Sequence, residues 1–194
     1  MKLGIFGGTF DPVHLGHLIV AEAVRERAGL DRIVFIPAST PPHKADAPVS
    51  SAAHRLAMLR EAVRSNAFFQ VSDIEIERGG ISYTVDTLRQ LKEANAADDL
   101  YLLIGADNLR EFQSWKEPEE ILKQATLIVM NRPGFPAAPG GMTLPVNALQ
   151  CEVPSIDISA TEIRRRVQQG LTISYLVPSA VSRYIERTRL YRGA

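Results

Sequence analysis

Short apolar runs alternate with longer amphipathic stretches along the whole chain. The apolar runs are typical of buried strands in a parallel sheet, and they cover residues 2–6, 32–37, 68–71, 74–76, 100–104, 126–130 and 149–153. In the amphipathic stretches, apolar residues recur every three or four positions, which predicts helices over 15–28, 51–64, 85–94, 118–124, 159–169 and 178–190. The alternation predicts a single doubly wound α/β domain over residues 1–194, with a mainly parallel sheet and helices at the C-terminal end.

The segment after the first apolar run is the strongest candidate for a binding site. Two adjacent glycines, Gly7 and Gly8, end the run, and a short polar turn leads into the first helix. Helix N-termini bind phosphate through their free N–H groups and the helix dipole. His14 and His17 lie about one helical turn apart, so both imidazoles can face one anion, and Gly16 removes side-chain bulk between them. This segment therefore predicts a site for a nucleotide triphosphate.

Other interpretations of the same segment remain open. The glycines do not form the G-x-G-x-x-G pattern of dinucleotide-binding proteins, which disfavours a hydride-transferring reductase. A His-x-x-His pair can also cap a helix, lie on the surface or share a zinc ion. The remaining histidines, His43 and His54, and Cys151 have no recognisable ligand spacing, so a metal site is the weaker alternative.

A second candidate for phosphate binding lies near the C-terminus. Ser159 and Glu162 have the spacing of a capping box, with Ser159 at the N-cap and Glu162 three residues later. The same cap would expose a helix N-terminus, and Thr161 and Arg164 would share one helical face. Capping and phosphate binding are therefore compatible here.

Composition limits the kind of partner. The chain has 22 basic and 22 acidic residues and no net charge, so nothing pulls it toward nucleic acid or an anionic membrane, and any phosphate binding must come from a local site. The lone Cys151 excludes an internal disulfide and predicts a buried, inert thiol in a reducing compartment. Because there is no apolar run of about 18 residues and no signal-peptide pattern, we expect a cytoplasmic protein without membrane contact.

The two candidate segments together resemble a known family. Gly-Gly-Thr-Phe-Asp-Pro-x-His-x-Gly-His over 7–17 and Ile-Ser-x-Thr-x-Ile-Arg over 158–164 resemble the motifs of the nucleotidyltransferase superfamily, which is built on a Rossmann-like sheet. Six further segments are similar to bacterial nicotinate-mononucleotide adenylyltransferases; they are residues 41–44, 82–88, 104–108, Trp115, 131–134 and 175–178. The resemblance covers essentially the whole chain.

The resemblance implies adenylyl transfer from ATP to nicotinate mononucleotide in NAD biosynthesis, with nicotinate adenine dinucleotide and pyrophosphate as products. It implies catalytic phosphate-binding roles for His14, His17 and Arg164. It places ATP against Gly7, Gly8, Thr9, Phe10, Gly16, Gly105, Asp107, Arg132, Ser159 and Thr161. It places the mononucleotide against Lys44, Tyr83, Thr84 and Trp115. Mg²⁺ is expected on the triphosphate, largely held by substrate oxygens and water, without a dedicated protein metal site.

Three alternative functions stay open at this point. A phosphopantetheine adenylyltransferase or a cytidylyltransferase would share the two phosphate motifs but should lack the context of Trp115 and residues 82–84. A nicotinamide-dependent reductase would use the dinucleotide as a reagent, and a non-catalytic sensor would bind ATP without releasing pyrophosphate. The preference for the acid over the amide mononucleotide rests on the resemblance alone. The oligomeric state is open, a homo-oligomer included.

Overall fold

The computed structural model describes residues 1–41, 50–131 and 144–192. Within these ranges the strands are β1 Lys2–Gly8, β2 Arg32–Pro37, β3 Phe69–Val71, β4 Asp99–Gly105, β5 Ala125–Met130 and β6 Ala148–Cys151. The α-helices are α1 Leu15–Arg27, α2 Ala52–Val63, α3 Ile74–Arg78, α4 Thr84–Ala94, α5 Ala106–Glu111, α6 Pro118–Gln124, α7 Ala160–Gln168 and α8 Ser179–Thr188. A 3₁₀ turn, Phe112–Ser114, follows α5.

The described strands form one sheet in the order β3-β2-β1-β4-β5-β6, and neighbouring strands run parallel throughout. The chain moves outward in one direction from β1 to β3 and then returns to the other side of β1 with β4. Ligands of such sheets bind beyond the carboxyl ends of the strands, where the strand order reverses. That point lies between β1 and β4, so the chain after Gly8 and the chain after Gly105 border the same crevice.

Apolar side chains cover both faces of the sheet because successive residues of a strand point to opposite faces. In β2, Ile33 and Phe35 belong to a core with α1, α2 and the C-terminal helices, whereas Val34 and Ile36 belong to a core with α4, α5 and α6. Both faces are therefore buried, which explains the continuous apolar runs and confirms the prediction of a doubly wound α/β sheet.

The prediction of a strand over residues 74–76 is wrong, since these residues begin helix α3. A short apolar run cannot by itself be told from a buried helix. Here the deciding residue is Glu75, which is buried and whose Oε1 accepts a hydrogen bond of 2.7 Å from the Thr87 hydroxyl. The helical turn brings this carboxylate to its donor inside the protein, where an unpaired charge would be costly.

Neither Ser82 nor Thr84 stands at the cap of α4. Tyr83 stands at the cap position and Thr84 is already the first helical residue. The Ser82 hydroxyl instead accepts a hydrogen bond of 2.9 Å from the backbone N–H of Ser39. Ser82 therefore joins the entry of α4 to the chain that follows β2.

No helix in the described ranges is long and apolar enough to cross a membrane. Residues 42–49 and 132–143 lie outside the described ranges.

Candidate active site

Two adjoining cavities open at the carboxyl edge of the sheet. The larger, of about 460 Å³, is lined by His14, Gly16, His17, Gly105 and Asp107 among others. The smaller, of about 340 Å³, is lined by Tyr83, Thr84 and Trp115 among others. Gly8, Thr9 and Asn108 line both cavities. The turn after β1 and the chain after β4 thus form a shared wall between two compartments.

The two histidines lie together at the start of α1. Their rings are stacked, with centroids 3.7 Å apart and planes inclined by 24°. The backbone N–H of His14 donates to Nδ1 of His17 at 3.2 Å, so a neutral His17 ring carries its proton on Nε2 and can donate from there. The Phe10 ring packs edge-on against His17 at 5.1 Å between centroids. The His17 ring is therefore held in one orientation by the hydrogen bond from the His14 backbone and by its contact with Phe10.

Gly16 is required by the closeness of the His14 ring. A Cβ added at Gly16 would lie 3.0 Å from Nδ1 of His14 and 3.3 Å from Cγ2 of Ile156. The sequence-based expectation that Gly16 removes bulk beside the imidazoles agrees with this geometry.

Gly16→Ala should separate activity from stability. Alanine is the better helix former by about 0.5–1 kcal/mol, which offsets part of the cost of crowding His14 and Ile156, so the melting temperature should change little. The His14 ring must move by a few tenths of an ångström, and such misplacement should lower kcat by about tenfold. Thermal denaturation and steady-state kinetics on the same preparation check both expectations; a variant with the wild-type kcat would show that the His14 position is not critical.

The turn after β1 is shaped by its glycines and by Phe10. A Cβ at Gly8 would lie 2.9 Å from the Phe10 ring, whereas a Cβ at Gly7 would meet no atom within 4 Å. Phe10 is buried and has a positive φ of 50°, in the left-handed region. Gly8 therefore leaves room for the ring, and Gly7 leaves open space at the wall of the smaller cavity.

Arg164 links the two predicted phosphate motifs. Its Nη1 donates to the backbone carbonyl of Asp11 at 2.7 Å, and its Nη2 lies 3.3 Å from the Thr161 hydroxyl. The bond to Asp11 spans 153 positions of the sequence. The N-terminal turn and helix α7 are thus brought together, as the phosphate hypothesis requires.

Helix α7 begins as predicted, although its capping box is incomplete. The Ser159 hydroxyl accepts from the backbone N–H of Glu162 at 3.2 Å. The Glu162 carboxylate pairs instead with Arg165 at 2.6 Å. Ser159 and Thr161 are exposed and do not line either cavity, whereas Ile158 lines the larger one.

Gly105 and Asp107 follow β4 directly. Gly105 stands at the cap of α5 and Asp107 lies in the first turn of that helix. Both line the cavity that also contains the histidines. The structure therefore brings the chain after β4 to the predicted ATP side.

The smaller cavity has an aromatic wall and a helix N-terminus. Trp115 is half-buried and packs on Phe112, with ring centroids 5.5 Å apart. Tyr83 and Thr84 form the start of α4. The Lys116 ammonium lies 4.7 Å from the Tyr83 ring centroid and 2.9 Å from an Asp86 carboxylate oxygen. The Asp86 carboxylate therefore partly neutralises the charge of Lys116 at the wall of this cavity.

Two predicted residues lie outside the described ranges. They are Lys44 and Arg132.

Sequence reasoning missed several residues that line or support the cavities. Glu75, Asn108 and Lys116 line the smaller cavity. Buried Asp11 and Arg55 lie behind the turn after β1. Asp11 and Asn108 lie within the motif segments 7–17 and 104–108, and Arg55 falls on the buried face of α2 one turn before Leu59.

Comparison with known proteins places these features in a family. The family model described as cytidylyltransferase-like matches residues 5–166. A protein of Desulfitobacterium hafniense strain Y51, named probable nicotinate-nucleotide adenylyltransferase, is 44% identical, and the match covers 98% of this chain and 96% of that protein. A Thermus thermophilus protein of the same name is also 44% identical, with 99% of this chain and 100% of that protein covered.

A solved structure supports the fold. Plasmodium falciparum nicotinic acid mononucleotide adenylyltransferase, complexed with NaAD, has a TM-score of 0.78 at 19% identity, with 98% of this chain and 97% of that chain covered. The sheet order, the linked phosphate motifs and the full-length relatives agree. The chain belongs to the nicotinate-nucleotide adenylyltransferases of the cytidylyltransferase-like family.

Proposed function

We propose that this protein transfers the adenylyl group of ATP to nicotinate mononucleotide, giving nicotinate adenine dinucleotide and pyrophosphate in NAD biosynthesis. The observation that carries the proposal is the pair of cavities with a shared wall at Gly8, Thr9 and Asn108. A reaction between two bound nucleotides needs two compartments whose reacting ends meet. We further propose that the whole chain acts as one nucleotidyltransferase domain and that it works in the cytoplasm.

The reaction needs no nucleophile from the protein. A phosphate oxygen of the mononucleotide attacks the α-phosphorus of ATP, and the bond from this phosphorus to the bridging oxygen breaks in line. The electron pair of that bond leaves with pyrophosphate. Catalysis is then positioning of the two substrates and stabilisation of the negative charge on the transferring and leaving oxygens.

The larger cavity is the proposed ATP compartment. Its histidines would donate to phosphate oxygens, and Arg164 would add a fixed positive charge beside them. Further contacts are proposed for Gly7, Gly8, Thr9, Phe10, Gly16, Gly105, Asp107, Ser159 and Thr161, and for Arg132 outside the described ranges. Phe10, Ser159, Thr161 and Arg164 do not line the larger cavity itself, and Gly7 lines only the smaller one. The proposed contacts of Ser159, Thr161 and Arg164 are to the outer phosphates.

The smaller cavity is the proposed mononucleotide compartment. The pyridine ring would stack on Trp115, and the nicotinate carboxylate would lie at the start of α4 near Tyr83 and Thr84. A carboxylate is favoured there because the first N–H groups of a helix lack partners within the helix. An amide in the same place would gain less, which supports a preference for the acid. Lys44, outside the described ranges, is the proposed partner of the mononucleotide phosphate.

Mg²⁺ is the expected cofactor of the bound triphosphate. The described residues include no group of three or more His, Cys, Asp or Glu side chains that could hold a metal by themselves. Asp107, in the cavity with the histidines, offers the kind of oxygen donor that Mg²⁺ accepts directly or through water. When bound, the ion would neutralise charge on the leaving pyrophosphate, and the residues present fit an ion that arrives with the nucleotide.

Trp115→Ala should raise the KM for nicotinate mononucleotide by at least about tenfold, in line with the cost of losing one ring stack, while the KM for ATP changes little. Phe68→Ala is a suitable control, because this exposed aromatic residue precedes β3 at the opposite edge of the sheet. Initial rates with one substrate varied and the other saturating give both constants. An unchanged KM for the mononucleotide would exclude the stacking role.

An acceptor panel tests the proposed function. Pyrophosphate release is measured with ATP, Mg²⁺ and one of three acceptors: nicotinate mononucleotide, nicotinamide mononucleotide or phosphopantetheine. We expect the fastest release with nicotinate mononucleotide. Faster release with phosphopantetheine would indicate the related adenylyltransferase, and ATP binding without any release would indicate a nucleotide sensor. Either result would refute the proposal.

A further inference from the structure

Arg55 is a buried charge that the proposed mechanism does not use. It lies on the core side of α2 with 1% of its surface exposed, between the turn after β1 and the apolar residues Met58 and Leu59. Burial lowers the pKa of its guanidinium, and the nearby Asp11 carboxylate opposes that shift. Arginine keeps its charge even so, so the protein carries the cost of a desolvated cation at this place.

The guanidinium binds three backbone carbonyls from three separate segments. Nη1 donates to Thr9, Nη2 to Ser39 and Nε to Ser50, each at 3.0 Å. Thr9 belongs to the turn after β1, Ser39 to the chain after β2, and Ser50 to the entry of α2. Because the guanidinium is planar and rigid, these three bonds fix the segments relative to one another.

The Asp11 carboxylate anchors the turn after β1 through two further hydrogen bonds. One Asp11 carboxylate oxygen accepts from the backbone N–H of Ser50 at 3.0 Å, and the other accepts from the Tyr191 hydroxyl at 2.6 Å. Burial and the bond to Asp11 together raise the pKa of Tyr191 far above its ordinary value, so this hydroxyl remains a donor. The left-handed residue Phe10 therefore lies between two anchored neighbours.

This arrangement stabilises the fold, because removing one partner of a buried polar network leaves the other groups unpaired. Stability alone does not explain which segments the network joins. Along the buried face of α2, Arg55 is followed by the apolar residues Met58 and Leu59. What an apolar residue cannot do is hold the carbonyl of Thr9, a residue that lines both cavities.

We propose that Arg55 is a positioning residue for adenylyl transfer. By holding the carbonyl of Thr9, it fixes the backbone between Gly8 and Phe10 at the wall that the two cavities share. The N–H groups of this turn then keep the orientation needed to meet developing charge, without rearrangement during the reaction. This inference rests on the proposed function.

The test compares Arg55→Met and Arg55→Lys with Leu59→Ala. Leu59 is fully buried one turn further along α2, and its truncation destabilises the fold by leaving a cavity. Its aliphatic side chain forms no hydrogen bond, so the bond from Arg55 to the Thr9 carbonyl is kept in this variant. For both Arg55 variants we expect kcat to fall by about tenfold or more, with smaller changes in either KM. Lysine should not restore the rate, because one ammonium cannot span three carbonyls. Leu59→Ala should lower the melting temperature yet keep kcat within about twofold well below that temperature.

Wild-type kcat in a folded Arg55 variant, or an equal loss in Leu59→Ala, would overturn the positioning role. If Arg55→Met does not fold, the kcat of Arg55→Lys decides the question. This variant keeps a positive charge beside Asp11 and therefore leaves no buried carboxylate without a charge partner. Wild-type protein is assayed in parallel. If it releases no pyrophosphate from ATP and nicotinate mononucleotide, the proposed function fails; retained activity in the variants refutes only the inference about Arg55.

Discussion

His17→Ala is expected to lower turnover by about 10²–10³-fold, the usual loss when one donor to transition-state charge is removed. The His17 ring is fixed by the backbone N–H of His14 and by packing against Phe10, so its donor is pre-organised. The KM for nicotinate mononucleotide should change little, because the other cavity is the proposed compartment for that substrate. Steady-state pyrophosphate release at saturating substrate concentrations measures the effect.

His54→Ala is the matched control for this loss. His54 lies on α2, and its Nδ1 is 2.9 Å from the Tyr184 hydroxyl on α8. It lines neither of the two cavities, so its removal should leave turnover within about twofold. If His17→Ala also stays within about twofold of wild type, His17 does not stabilise the transferring phosphates.

Arg164→Met is expected to lower kcat/KM for ATP by about 10²-fold or more, because the substitution removes both the proposed charge partner of the phosphates and the bond between the two motifs. The guanidinium reaches the Asp11 carbonyl and Thr161, and lysine cannot reproduce this two-point geometry. Arg164→Lys should therefore recover only part of the loss. Initial rates at varied ATP concentration provide the measurement.

The neighbouring Arg165 gives a close control. It is exposed on the same helix and pairs with Glu162 at 2.6 Å. A surface pair of this kind contributes less than about 1 kcal/mol to stability, and Arg165→Met should leave catalysis unchanged. If Arg164→Met and Arg165→Met lowered kcat/KM for ATP equally, the effect would come from any loss of positive charge on α7. A specific role of Arg164 in phosphate binding would then be excluded.

Much of the fold could be predicted because its strands are buried on both faces. Continuous apolar runs such as residues 100–104 are typical of strands buried on both faces of a parallel sheet. The segment over 74–76 could not be assigned, because three residues carry no usable period and the buried Glu75–Thr87 bond that decides it joins residues 12 positions apart.

The candidate site was predictable where chemistry lies in a short motif. His14, Gly16 and His17 are close in sequence, and their spacing already places them together on a helical turn. The supporting residues were not predictable in this way. Hydrogen bonds between distant segments give Arg55, Asp11 and Tyr191 their supporting roles. Most of these bonds are to backbone carbonyls or N–H groups. Since every residue type has a backbone, such partners cannot be recognised from the sequence.

The central claim is that ATP and the mononucleotide occupy adjoining compartments and react directly with each other. A single-turnover experiment with ATP labelled at the α-phosphate, enzyme in excess and nicotinate mononucleotide as acceptor tests it most directly. The predicted result is label in nicotinate adenine dinucleotide, equimolar with released pyrophosphate, and none bound covalently to the protein. Label on the protein, or pyrophosphate released with the label left in AMP, would contradict direct in-line transfer.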